Sequence, residues 1–512
     1  MLKRIKNSIQ SRAKGMLTRL ESGWKDYVRY YEDEVIWDNA VLFESFGGKN
    51  FQGNPYYLFK EMLTAAWWKE KEFYIAHQNP EELLTFLRNR KMLGPNVHVV
   101  LYLSPEYRNI LCHAKYLINN MSINMNYIKK DGQVYVNTWH GTPLKTLGRT
   151  VKNDPFAVNN PQRNMLLADI LLAPNELTKR VYELDHMIEG VAPEKILMSG
   201  YPRNTAFFDD ELRAEIRAEN GLEGKKAIFY MPTWRGSAAS GVRNIDFIAD
   251  MERLAEELGN EYVVYIKLHP AMSGSLNQLH ACRTMPDKYE VYEFLNACDV
   301  LITDYSSVYF DFANTGRQII LYQYDKKEYY AERGVYPDVE RNTPFAVVED
   351  YDALRDEILS PRSIDSKEFR AEFCSFDGPE ASEKLLKKMQ SFHTEASLPV
   401  DLYVIDFPVR DEQLLKWKNM LEGESYRFLF VPKRSNHRFS SVHCFSELQY
   451  LSLFTDRNIL IKEYVFSHKK AMYREKKRLW GNLSVGKVYT RHTRIPLLNQ
   501  FAIEKWPERL GD

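Results

Sequence analysis

The sequence predicts an α/β chain with parallel sheets, and two observations carry that expectation. Short β-favouring runs alternate with stretches of helical spacing, which is the signature of βαβ units. Four of these runs also end in polar or titratable residues beside turn formers, so special groups gather along one sheet edge. In an open α/β sheet, ligands bind outside the carboxyl ends of the strands.

The most telling run is Gln133-Val-Tyr-Val-Asn-Thr-Trp-His140, where β-favouring residues alternate until Gly141 and Pro143 stop the strand. His140 falls at the strand end and can take a proton from a hydroxyl near neutral pH. A structural histidine would sit in the same pattern, so the motif alone leaves both uses open. Ala227 to Met231 is a second, apolar run, closed by Pro232 with Arg235 just beyond. Tyr262 to Ile266 is a β-branched third, ending in Lys267, His269 and Pro270. Val300 to Thr303 is the fourth, followed by Asp304 and the hydroxyls of Ser306 and Ser307. Helical patterns cover Phe247 to Leu258, Val291 to Cys298 and Val308 to Asn314, and Gln318 to Tyr322 reads as one more strand.

Ser306 and Ser307 stand where a helix begins, so they can cap free N–H groups or share them with an anion. Plain capping is what every helix start needs. The chain has neither a Gly-x-Gly-x-x-Gly fingerprint nor a Gly-x-x-x-x-Gly-Lys-Ser/Thr loop, which argues against ordinary dinucleotide or P-loop binding. Phosphate binding then falls to hydroxyls, helix ends and basic side chains such as Arg235 and Lys267.

Taken together, Trp139-His-Gly-Thr-Pro-Leu-Lys145 with Gly148, Pro232-Thr-Trp-Arg235, Lys267-Leu-His-Pro270 and Asp304-Tyr-Ser-Ser307 resemble the CDP-glycerol glycerophosphotransferases. These are the teichoic-acid primases and polymerases of bacterial envelopes. Phe43 to Asn50, running on to Asn54-Pro55, looks like that family's first strand and Gly-containing loop. Phe376-Asp-Gly with Ala381-Ser-Glu383 is similar to its closing helix. The resemblance covers roughly residues 35 to 390. It implies a GT-B-like fold, two Rossmann-like domains across a cleft, with an additional C-terminal region. The expected division is a basic amphipathic helix in 1–34, an acceptor domain in 35–205, a CDP-donor domain in 206–395 and an accessory basic α/β region in 396–512.

The same resemblance implies transfer of glycerol phosphate from CDP-glycerol to a hydroxyl of a lipid-linked teichoic-acid or capsule-like acceptor, with release of CMP. A hydroxyl is a poor nucleophile and needs a base, for which His140 is the candidate. Phosphoryl transfer otherwise rests on positioning and electrostatics. His269, Ser306 and Ser307 are the expected phosphate contacts, with Arg235 and Lys267 behind them and Gly141 and Thr142 lining the His140 turn. His269 can instead serve the leaving CMP, and the two histidines can exchange roles. Asp304 can orient a histidine, hold a metal or cap its turn. No cluster has metal-site spacing, so neither a metal nor a cofactor is expected.

Length and charge fit two to three domains: 512 residues with a formal net charge of zero. Bulk charge gives no support to nucleic-acid binding. Five scattered cysteines, Cys112, Cys282, Cys298, Cys374 and Cys444, suit a reducing compartment. No apolar run reaches the roughly 18 residues of a spanning helix, and nothing resembles a signal peptide. In the first twenty residues, Leu2, Ile5, Ile9, Ala13, Met16 and Leu20 share one helical face among six basic residues. Such a helix can lie on an anionic membrane or pack at an oligomer interface. Peripheral attachment to the cytoplasmic face of the bacterial membrane follows from the resemblance, because the acceptors are lipid-linked.

Beyond about Leu398 the chain leaves the family pattern. Strand-like runs cover Val400 to Phe407, Tyr426 to Val431 and Asn458 to Ile461, and residues 401–512 carry 20 Lys or Arg against 13 Asp or Glu. The patch Lys469-Lys470, Arg474, Lys476-Lys477-Arg478 beside Tyr473 and Trp480 suits an anionic polymer or membrane surface, or is simply a solvated face. Three other functions compete: a CDP-ribitol ribitolphosphotransferase with the same motifs, a nucleotide-sugar glycosyltransferase of the same fold, and a non-catalytic polymer-binding protein.

Overall fold

The computed structural model describes residues 27, 30, 33, 35–124, 127, 129–130, 132–151, 159–186, 188, 195–233, 236–237, 241–242, 247–267, 279–332, 334–392, 400–405, 411–421, 424, 426–430, 485–490 and 503–510. The basic N-terminal helix, the run Asn458 to Ile461 and the basic patch from Lys469 to Trp480 therefore lie outside the described residues, apart from Tyr27, Tyr30 and Asp33.

Seven parallel strands form the first sheet: β1 (Trp37–Glu44), β2 (Glu72–His77), β3 (Val97–Leu101), β4 (Ala114–Asn119), β5 (Val134–Asn137), β6 (Ile170–Ala173) and β7 (Ile196–Met198). Their order is β3-β2-β1-β4-β5-β6-β7. The second sheet takes β8 (Lys226–Met231), β11 (Tyr262–Ile266), β12 (Arg283–Thr284), β13 (Val300–Thr303), β14 (Gln318–Tyr322) and β15 (Ala346–Val348) in the order β12-β11-β8-β13-β14-β15. The two short strands between β8 and β11, β9 (Gly236–Ser237) and β10 (Gly241–Val242), pair with each other. Counted along each sheet's own chain, both orders are the 3-2-1-4-5-6 Rossmann arrangement, with β7 added to the first. Each sheet therefore has a switch point, between β1 and β4 and between β8 and β13.

The strands read as near-continuous apolar runs because helices cover both faces. On β1, Val41 and Phe43 enter one core, while Ala40 and Leu42 enter the other with Tyr107 and Tyr135. The first of these cores continues under the second sheet to Phe229, Phe294 and Phe310, so one apolar cluster joins the two halves. The helix Phe247–Leu258 buries Phe247, Ile248, Met251, Leu254 and Leu258, spaced along one helical face. The helix Val291–Ala297 starts at a capping box in which Glu290 and Glu293 each bond the other's end of the turn. After the second sheet, the helix Ala381–Gln390 returns to pack against the helix Asn54–Met62 and the turn Pro202–Phe208.

A third, four-stranded parallel sheet lies in the C-terminal region. Its strands are β16 (Val400–Ile405), β17 (Tyr426–Phe430), β18 (Val485–Thr490) and β19 (Ile503–Lys505), ordered β17-β16-β18-β19. The helix Asp411–Met420 buries Trp417, whose indole N–H donates to the Leu510 carbonyl. Among the described residues, no helix is long and apolar enough to cross a membrane.

Candidate active site

The cleft is built from the carboxyl ends of both sheets. After β5 the chain makes a sharp turn: Trp139 has φ +52 and Gly141 φ +151. The left-handed backbone at a tryptophan is costly, on the order of 1–3 kcal/mol, and persists where the surroundings over-determine it. Asn137 Oδ1 accepts the Trp139 N–H at 2.9 Å, and Asn54 Nδ2 donates to the carbonyls of Thr138 and Trp139, each at 3.3 Å. The turn thereby presents His140, half-buried, against Trp139 and the edge of Phe46.

His140 Nδ1 lies 2.9 Å from the Asn120 carbonyl. A carbonyl only accepts, so Nδ1 carries the proton and Nε2 keeps its lone pair. Burial pushes the pKa down to about 4; the Asn120 bond opposes this, while Arg203 and Lys145 add to it. The imidazole is thus neutral at pH 7 and chemically a base through Nε2.

Facing it is the turn after β13. Asp304 is fully buried, and its carboxylate accepts the Thr233 N–H at 2.9 and 3.0 Å and the Tyr305 N–H at 2.6 Å. These bonds tie the loop after β13 to the loop after β8 across the switch point. All three bonds are of the kind by which a carboxylate caps backbone N–H groups. Ser306 Oγ is 3.5 Å from the Val308 N–H, and Ser307 makes no side-chain capping bond. The two turns touch: a Cβ on Gly141 would lie 2.4 Å from Ser307 Oγ. Only glycine allows that approach.

Thr142 is buried behind the turn, and its hydroxyl accepts from Asn175 Nδ2 at 2.8 Å. Lys267 follows β11, half-buried; burial lowers its pKa to about 8, and the Glu290 carboxylate works in the other direction. Glu290 accepts from Gly53 N at 3.1 Å and from Tyr57 OH at 2.9 Å, linking that corner to the first sheet. Arg235 and His269 lie outside the described residues. Among the described residues, no group of three or more His, Cys, Asp or Glu is placed to hold a metal.

Two groups at this site, Asn120 and Arg203, carry no motif that sequence reasoning singled out, and a third, Asn54, enters it only as the end of a loop motif. Asn120 holds His140 through its main chain, Asn54 holds the turn, and Arg203 donates Nη1 to the His140 carbonyl at 2.9 Å. Gly200-Tyr-Pro-Arg203 offers a signal in hindsight, as a glycine and a proline leading into a basic residue just past a strand. Its long-range partners are invisible in one chain.

Residues 28–391 match the family model described as CDP-glycerol:poly(glycerophosphate) glycerophosphotransferase. The chain is similar to the teichoic acid poly(glycerol phosphate) polymerase of Staphylococcus epidermidis, 27% identical over 376 residues, covering 69% of this chain and 50% of that protein. It thus spans only half the length of that relative. It is also similar to the teichoic acid poly(glycerol phosphate) polymerase of Bacillus spizizenii, at 28% identity over 69% of this chain and 92% of that protein. A solved structure of the wall teichoic acid polymerase TagF, a histidine-to-asparagine variant soaked with CDPG, superposes with a TM-score of 0.60 and 26% identity. That match covers 76% of this chain and 98% of the other. The matched segment runs through both sheets and every motif of the cleft, and the chain belongs to the CDP-glycerol:poly(glycerophosphate) glycerophosphotransferase family.

Proposed function

We propose that this protein transfers glycerol phosphate from CDP-glycerol to a hydroxyl of a polyol-phosphate acceptor of the teichoic-acid kind, releasing CMP. One observation carries the reading: a neutral imidazole with a free Nε2 lies on a turn in contact with the Ser307 hydroxyl of the opposing sheet. In the reaction, the acceptor oxygen attacks the β-phosphorus of the donor while His140 Nε2 takes its proton. The new P–O bond forms as the bond to the CMP oxygen breaks, and CMP leaves with that electron pair. Lys267 and the hydroxyls of Ser306 and Ser307 hold the phosphate oxygens, with Gly141 and Thr142 shaping the turn opposite. His269 and Arg235 join them on the strength of the family motifs. Bound phosphates also favour the imidazolium, so His140 becomes a stronger base with the donor in place than its low pKa without phosphates implies.

This reading assigns residues 35–205 to the acceptor and 206–395 to the donor, with 1–34 bringing the enzyme to the cytoplasmic face of the membrane. The accessory part, 396–512, has no assigned role. The decisive assay is CMP release from CDP-glycerol and CDP-ribitol, side by side, with a lipid-linked glycerol-phosphate acceptor. Acceptor-dependent CMP from CDP-glycerol alone is the expected result. CMP from CDP-ribitol alone would move the assignment to the ribitol branch, which also has a relative here: the Staphylococcus aureus teichoic acid ribitol-phosphate polymerase TarL, 25% identical over 65% of this chain. No CMP from either donor overturns the reading.

A further inference from the structure

Arg203 sits where the two sheets meet, 2% exposed, between the rings of Tyr201 and Tyr292 at 4.7 and 4.9 Å. Its Nη1 donates to the His140 carbonyl at 2.9 Å, and its Nη2 donates to Asp311 Oδ2 at 2.7 Å. Asp311 lies one turn beyond Ser307 on the helix Val308–Phe312 and also accepts from Tyr292 OH at 3.1 Å. The Arg203 main-chain N–H donates to Asn54 Oδ1 at 3.2 Å, and the same Asn54 holds the carbonyls before His140. One planar guanidinium therefore spans from the residue carrying the imidazole to the helix that begins at Ser307.

We propose that Arg203, paired with Asp311, is a positioning residue that sets the His140 turn in register with the Ser306 and Ser307 hydroxyls. The inference rests on the transfer reading above and deepens it. A buried ion pair is weak evidence of a stabilising device, because desolvation offsets most of the attraction. Here the Arg203 Nε has no hydrogen-bond partner, a further cost. Well-packed apolar side chains would hold the halves together equally well. What they lack is the fixed fork of donors that reaches a carbonyl on one side and a carboxylate on the other. The fork's function lies in geometry.

The test separates packing from positioning. Arg203→Met or Asp311→Leu alone leaves one buried charge unpaired and lowers Tm. The double variant Arg203→Met/Asp311→Leu removes both charges, so Tm recovers. Positioning predicts that kcat for CMP release stays down on the order of 100-fold, with KM for CDP-glycerol near wild type, because the His140 turn has lost its register. Recovery of kcat together with Tm overturns the proposal. Arg203→Lys keeps the charge paired but loses the fork; it is expected to fold with the same loss of kcat, and serves if the double variant is unstable. A second readout does not depend on turnover: the ring signal of His140 in protein with 13C-labelled histidine, identified by its loss in His140→Ala. Arg203 and Lys145 are the cations acting on this ring. Removing the first is expected to move the signal and raise its titration midpoint; an unchanged signal overturns the proposal. Wild-type protein that releases no CMP from either donor defeats the transfer reading, while the ring signal still decides whether Arg203 positions His140.

Discussion

At the switch point of the first sheet, Asn120 follows β4, and its side-chain oxygen accepts the Phe46 N–H from the loop after β1 at 2.9 Å. At the switch point of the second sheet, Asp304 follows β13 and accepts the Thr233 N–H from the loop after β8. The construction is the same: the residue after the fourth strand ties down the backbone after the first. The difference is charge. Beside the histidine the tie is a neutral amide, so no carboxylate there draws a proton onto the imidazole. Beside the proposed phosphate site it is a carboxylate, with both Thr233 and Tyr305 N–H groups aimed at it. An anion is tolerable near phosphates when its field is already met by donors inside the protein, and the proposed recognition then falls to Ser306 and Ser307.

Four experiments break or sharpen this comparison. The largest expected effect is on the histidine side: His140→Ala should lower kcat for CMP release by about 10² to 10⁴-fold, the usual worth of a general base, with little change in Tm. A loss below tenfold would remove His140 from the base role. On the acid side, Asp304→Asn should act first on stability, by about 1.5–3 kcal/mol, because the backbone N–H groups then meet a neutral amide in place of a buried charge. Urea denaturation checks it, and an unchanged midpoint would contradict the turn-cap role. The third experiment is a pH profile. Lys267 titrates at about 8 and is cationic below that value; kcat/KM for CDP-glycerol should therefore fall by roughly tenfold as pH rises through 8. Lys267→Arg should carry the plateau to higher pH. The smallest effect exchanges the two designs: Asn120→Asp places a carboxylate by the imidazole. The opposite charge favours the imidazolium, so the acid limb of kcat/KM, expected near 4 for the wild type from the buried ring, should move up by about one unit.

Much of the frame was legible in the sequence. The runs at Val134, Ala227, Tyr262, Val300 and Gln318 all form strands, and the helices at Phe247, Val291 and Val308 follow as the spacing predicts. Val400 and Tyr426 also open strands of the third sheet. These elements announce themselves because each buries a continuous apolar face. β7 and β12 do not: three half-buried residues and two exposed ones carry no period to read. The site divides in the same way. His140, Lys267, Ser306 and Ser307 stand beside turn residues at strand ends, a local signal. Arg203 reaches partners 63 and 108 residues away, and Glu290 reaches 237 residues back to Gly53. Such ties depend on how two sheets dock, which no local pattern encodes.

The bond that fixes the His140 tautomer ends on a peptide oxygen. Every amino acid supplies that oxygen, so no single codon change at position 120 can delete it, and drift at that position leaves the imidazole oriented. Histidines steered by a carboxylate side chain have a second gene-encoded point of failure; this one has been moved out of mutation's reach and into the path of the chain itself. Retuning the imidazole, by evolution or by design, therefore has to act on the surroundings of the ring or on the loop that carries the oxygen.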